Sequence, residues 1–173
     1  MREPFATALT GGHHNSLGRT DEVIAAVLAD PPRIDELFAC LDEPDELVRM
    51  RAGDALEKVC RDRHDWLLER IEQVLGPMAA VDQPSVQWHV AQILDHLDER
   101  LTPEQHGRAT ARLKDQLACS TDWIVLNVSM DVLTSWARAD AELATWLRPH
   151  LERLTGDPRK SVAKRAGKRL AEL

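Results

Sequence analysis

Val48-Arg49-Met50-Arg51-Ala52-Gly53-Asp54-Ala55-Leu56 decides how this chain is read, because a version of it returns near the C-terminus. There it runs Val162-Ala163-Lys164-Arg165-Ala166-Gly167-Lys168-Arg169-Leu170, and valine, arginine, alanine, glycine and leucine agree at five of the nine positions. Two looser copies lie between. One starts at Val86 and continues with Val90, Ile93, Leu94 and Leu97; the other starts at Val125 and continues with Ser129, Val132, Leu133 and Trp136. The starts at 48, 86, 125 and 162 are 38, 39 and 37 residues apart, and a period in that range marks a repeat architecture.

Inside each copy the apolar or small residues sit at offsets 0, 4, 7, 8 and 11, which is one face of a helix with 3.6 residues per turn. A second amphipathic helix precedes each copy. Ile34, Leu37, Phe38 and Leu41 carry the first, and Leu67, Leu68, Ile71, Leu75 and Met78 the second. Leu113 and Leu117 carry the third, and Leu143, Leu147, Leu151 and Leu154 the fourth. Thr102-Pro103-Glu104-Gln105 reads as a capping box with proline at the first helical position. Asp157-Pro158 reads as a similar start, and Pro44 and Pro84 punctuate the matching turns. No period-two stretch bounded by turn residues is present, so no strand is expected.

A helix pair of this length, with an Asp- and Pro-rich turn before Asp45-Glu46-Leu47-Val48-Arg49-Met50-Arg51-Ala52-Gly53-Asp54-Ala55-Leu56, resembles the HEAT repeat family. The resemblance covers about residues 31 to 173 and is loosest in the third repeat, where Trp123, Asn127 and Ser129 depart from the pattern. It implies an all-α, right-handed α-α superhelix of about four helix pairs (31–62, 63–100, 101–138 and 139–173), with the second helix of each pair lining a concave, partner-binding side. An added helix over Thr20 to Ala29 (Val23, Ile24, Val27, Leu28) is expected to cap the open end, since a terminal repeat has no neighbour to cover it. Residues 13–173 then form a single domain, and residues 1–12, with Gly11-Gly12, are expected to be mobile.

Composition agrees with a globular chain. Of 173 residues 43% are hydrophobic and 29% charged, too apolar for disorder, and a domain of this size buries roughly 70% of its unfolded surface without disulfide or metal. Cys40, Cys60 and Cys119 are odd in number and far apart, as expected of reduced thiols in a cytoplasmic protein; Cys60, near a helix end, is conceivable as a reactive thiol. No sustained apolar run suggests a secretory signal or a membrane span.

The motifs that carry chemistry are missing. There is no GxSxG, no HExxH and no glycine-rich phosphate loop, so no enzyme is expected. His89 and His96, with Asp95 and Asp98 nearby, are seven residues apart; that is about 10 Å of helical rise, too far for two imidazoles to share one ion. His13-His14 would bind a metal only weakly, and neither metal nor cofactor is expected.

What remains is a surface. Offsets 2, 5, 6 and 9 of each second helix lie opposite its apolar stripe. They give a candidate partner-binding set of Met50, Asp54, Trp88, Gln92, Asn127, Met130, Asp131, Lys164 and Lys168. A tryptophan and two methionines at positions expected to face solvent favour a non-catalytic scaffold that binds a protein or peptide, with Trp88 as anchor and the chain itself a monomer. The alternative is a protein directed at nucleic acid, on a resemblance to the HEAT-like alkylpurine DNA glycosylases. Residues 141–173 carry eight basic and four acidic side chains, a net of +4, but the other 140 residues carry −11. A total of −7 does not favour a polyanion.

Overall fold

The computed structural model describes residues 2–13 and 16–173. The chain is 79% helix, with eleven α-helices and no strand among the described residues. None of these helices is long and apolar enough to cross a membrane. The chain falls into two compact units, Met1–Leu101 and Thr102–Leu173, where a single domain was expected.

Unit 1 holds α1 (Phe5–Leu9), α2 (Thr20–Ala29), α3 (Ile34–Ala39), α4 (Glu46–Asp62), α5 (His64–Leu68), α6 (Ile71–Gln73) and α7 (Pro84–Leu97). Helix α4 is its centre, packed by α1, α2, α3, α5 and α7. Asp45 caps it by accepting from Leu47 N at 2.8 Å. Helix α7 starts at Pro84, where the missing N–H costs nothing. These two helices run in the same direction about one repeat apart. Gln83 reaches back to the start of α4, donating to Glu46 O at 2.9 Å and accepting from Arg49 Nε at 2.8 Å. At the other end His96 Nε2 meets Glu57 Oε1 at 2.9 Å.

Unit 2 holds α8 (Pro103–Cys119), α9 (Trp123–Ala137), α10 (Ala141–Thr155) and α11 (Lys160–Leu170). Its first helix opens with the capping box, Gln105 N donating to Thr102 Oγ1 at 3.2 Å and Thr102 N to Gln105 Oε1 at 3.0 Å. Asp122 caps α9 and Asp140 caps α10 through backbone N–H groups at 2.8 to 3.0 Å. Helices α9 and α11 also run parallel, with Arg159 donating to Thr121 O and Arg169 to Asp131, 38 residues apart in both cases.

The core follows the repeat phase. Val48, Ala52, Ala55, Leu56 and Val59 are buried, as are Val86, Val90, Ile93, Leu94 and Leu97. So are Val125, Ser129, Val132, Leu133 and Trp136; in the last copy only Val162 and Ala166 are, on the side of α11 that packs against α9 and α10.

Three local expectations are corrected. Residues 1–12, expected to be mobile, contain α1, whose Phe5, Ala8 and Leu9 are buried. Buried apolar side chains at three of its five positions give this short helix a core to join, and the Gly11-Gly12 pair supplies the positive φ angles of the turn behind it. The single helix expected from Leu67 to Met78 is interrupted after Leu68, and it widens into a π-turn over Val74–Met78. Pro77 has no N–H to give to an i−4 carbonyl and Gly76 is a poor helix former, so the regular ladder cannot run through them. Finally, α11 begins at Lys160 and not at Pro158. Asp157 accepts from Arg159 N at 2.9 Å and grips the Arg159 guanidinium, forming a turn ahead of the helix instead of a cap on it.

Candidate binding surface

The expected surface positions divide between the two units. In unit 1, Met50 and Trp88 sit at corresponding places on the parallel helices α4 and α7, and both are half-buried. Trp88 stacks against the ring of its neighbour His89, with centroids 3.5 Å apart. Gln92, one turn further along α7, is half-buried as well, and its side-chain carbonyl oxygen is enclosed without a hydrogen-bond partner.

Asp54 does not belong to an exposed rim. It is buried between helices, paired with Lys58 Nζ at 2.9 Å, and His89 Nε2 lies 3.7 Å from its other oxygen. His89 Nδ1 meanwhile contacts Ser85 O at 2.5 Å, in the geometry of a donor to that carbonyl. Burial pushes the Asp54 carboxyl up. The close approach of Lys58 and His89 outweighs it and holds the carboxyl below its ordinary value. Asp54, His89 and Lys58 therefore tie α7 to α4 and fix a turn of α4.

In unit 2 the same kind of correction applies. Met130 and Asn127, expected to face solvent, are buried, because α9 is flanked by α8, α10 and α11 and little of its circumference is left free. Asn127 Oδ1 is enclosed without a partner. Asp131 is half-buried and holds α11 in place, accepting from Arg165 and from Arg169 Nε at 2.7 Å. Lys164 and Lys168 are exposed.

Sequence reasoning missed the role of Arg51. It enters there only as the arginine that the first and last copies share, yet no part of it reaches solvent. Its guanidinium donates to the carbonyls of Leu9, Gly11, His13 and Ser16, drawing the segment before α2 over α4. Gly18, at φ +55°, lies so close that a Cβ there would stand 3.1 Å from Arg51 Cζ. The glycines at 11, 12 and 18 were the available signal: three left-handed residues just ahead of a helix suit a loop wrapped around a planar cation. Trp123 was noted only as a departure from the repeat, and it is the most exposed large apolar side chain among the described residues, at 49%.

The histidines hold no metal geometry. No group of three or more His, Cys, Asp or Glu among the described residues is placed to bind an ion, and His14 lies outside those residues. Cys60 is fully buried, and burial pushes its thiol up to about 12. That removes the basis for reading it as reactive.

No family model matches the chain, and no curated protein matches it. Among solved structures it is similar to the crystal structure of an engineered protein from the Northeast Structural Genomics Consortium. The TM-score is 0.61 and the identity 18%, over 97% of this chain and 77% of that one, and the likeness is one of all-helical fold.

Proposed function

We propose that the chain is a non-catalytic binding protein of HEAT-like helix pairs, wound as a right-handed superhelix, that takes a protein or peptide partner along its second helices. The parallel setting of α4 with α7, and of α9 with α11, supports the repeat reading, since a stack of helix pairs places equivalent helices side by side. The observation that carries the binding reading is the placement of Met50 and Trp88, two large apolar side chains left incompletely buried at corresponding positions of neighbouring helices. Large apolar groups that stay partly wet next to each other are the usual centre of an interface.

Affinity capture from the source cells tests this, with wild type, Met50→Ala and Trp88→Ala as baits and nuclease-treated lysate in parallel. The expected result is a protein retained by wild type, unaffected by nuclease, and reduced about tenfold or more by Trp88→Ala, as for an interface hot spot. Retention that survives both substitutions, or that nuclease abolishes, refutes the reading.

A further inference from the structure

Helix α11 and the residue just ahead of it, Arg159, carry six cations, and the structure treats them in two ways. The arginines are neutralised: Arg159 by Asp157 at 2.7 Å, Arg165 by Asp131, and Arg169 by Asp131 and Glu172 at 2.7 and 2.8 Å. The lysines are exposed, and among the described residues no carboxylate pairs with Lys160, Lys164 or Lys168. They are four residues apart, so they form one row along the helix with a rise of about 6 Å between members. The row lies on the side opposite Val162 and Ala166, the buried residues of α11.

The helix dipole does not account for this arrangement. Lys168 lies in the last turn, where a cation is favoured, but Lys160 is the first residue of α11, where the exposed N–H groups already concentrate positive charge. No acidic residue occupies that first turn. Arg159 donates to Thr121 O, so the turn that opens α11 rests on the turn that opens α9, and Trp123 and Lys160 are the first residues of those two parallel helices.

We propose that this face of unit 2 is a docking surface for a short, extended acidic peptide segment. Its carboxylates would lie along Lys160, Lys164 and Lys168, and an apolar side chain would lie against Trp123. Alternate residues of an extended chain point the same way about 6.6 Å apart, which matches the lysine row closely enough for three carboxylates at every second position to meet three ammonium groups. Charge selects a short peptide over a nucleic acid. Unit 2 has twelve basic and nine acidic residues, a net of only +3, and the chain as a whole carries −7, which does not favour a long polyanion. The aromatic residue also stands at one end of the row and not between the lysines, where successive bases would need it. This surface is separate from Met50 and Trp88, which lie in unit 1, and shares with the reading above only that the ligand is polypeptide.

The test is fluorescence anisotropy at low salt with the full chain and a labelled peptide of three glutamates alternating with serine and ending in leucine. The controls are the same peptide with lysine for glutamate and an oligothymidylate of equal charge. The glutamate peptide should bind, and K160Q/K164Q/K168Q should weaken it about tenfold or more while leaving the melting temperature unchanged, since these side chains are exposed. K160R/K164R/K168R should retain binding, Trp123→Ala should weaken it, and Trp88→Ala should leave it unaltered. Equal binding by wild type and the glutamine variant overturns the proposal. Tighter, lysine-dependent binding of the oligothymidylate also overturns it and assigns the row to nucleic acid. Loss of binding in Trp88→Ala alone would place the peptide on unit 1 instead.

Discussion

Ser16 O accepts from Arg51 Nε at 3.0 Å and from Arg51 Nη2 at 2.9 Å, so a side chain with no exposed surface holds a backbone carbonyl 35 residues earlier in the chain. The same guanidinium reaches Leu9 and Gly11. Arg51→Ala would leave several carbonyls without donors, and hydrogen bonds to a charged donor are worth more than neutral ones. A loss of about 3 kcal/mol or more in urea unfolding is expected. Arg51→Lys should not rescue it, because a single ammonium cannot reproduce the planar fork. A lysine variant of wild-type stability would show that the contacts are incidental.

Two glycines should respond in opposite ways to alanine. Gly18 has φ +55°, and its Cβ would press on Arg51, so Gly18→Ala is expected to cost about 1–2 kcal/mol. Gly107 lies inside α8 with nothing within 4 Å of a Cβ, so Gly107→Ala is expected to stabilise by about 0.5–1 kcal/mol. Thermal melting of both variants checks the pair, and the same sign for both would contradict the loop geometry around Arg51.

Trp88 and Val90 calibrate the helix phase of α7. Val90 is fully buried and Trp88 half-buried beside His89. Val90→Ala should cost about 2 kcal/mol of folding stability. Trp88→Ala should cost about 1–2 kcal/mol, less than the 3–5 of a tryptophan in a core. Denaturant unfolding of both variants separates these outcomes, and a loss at Trp88 above that range would remove it from the binding surface.

Thiol chemistry should distinguish the three cysteines. Cys40 and Cys60 are buried and pushed up to about 12, whereas Cys119 is exposed. Native protein at pH 8 should react with a chromogenic disulfide reagent at one thiol quickly, and at three only after unfolding. Cys119→Ser should abolish the fast phase.

Acid should act partly through Asp157. Its hydrogen bonds with Arg159 hold the carboxyl down at about 2, against an unfolded value of about 3.9. Because the folded value is the lower one, the contribution is fully present above the unfolded value and is lost as pH falls from about 4 toward 2. Asp157→Asn should flatten the stability profile in that window and leave its slope between pH 6 and 8 unchanged. A wild-type acid slope in the variant would show that the turn contributes nothing.

The buried stripes were legible in the sequence because a core imposes one period, and Val48, Val90 and Leu133 could be placed from spacing alone. The opposite faces were not. A helix with neighbours on several sides buries residues that its own periodicity assigns to water, which is why Met130 and Asn127 are enclosed while Trp123 and Lys164 are open. The polar partners were hidden for another reason. Asp54 with His89, and Arg51 with Ser16, are 35 residues apart in each case, and nothing local in the sequence pairs such groups. Gln92, within the expected surface, has an enclosed oxygen with no partner, for which we have no physical account.

The capping box at Thr102 has a consequence for synthesis. It stands at the first residue of unit 2, and both of its hydrogen bonds are made within four residues, so α8 needs nothing upstream to begin. Unit 1 likewise draws every donor and acceptor of the Arg51 knot from its own first 51 residues. Translation at roughly 5–20 residues per second leaves several seconds between the emergence of residue 101 and that of the chain end. The amino-terminal half can complete its core on the ribosome during that interval, before α11 and its lysines have been made.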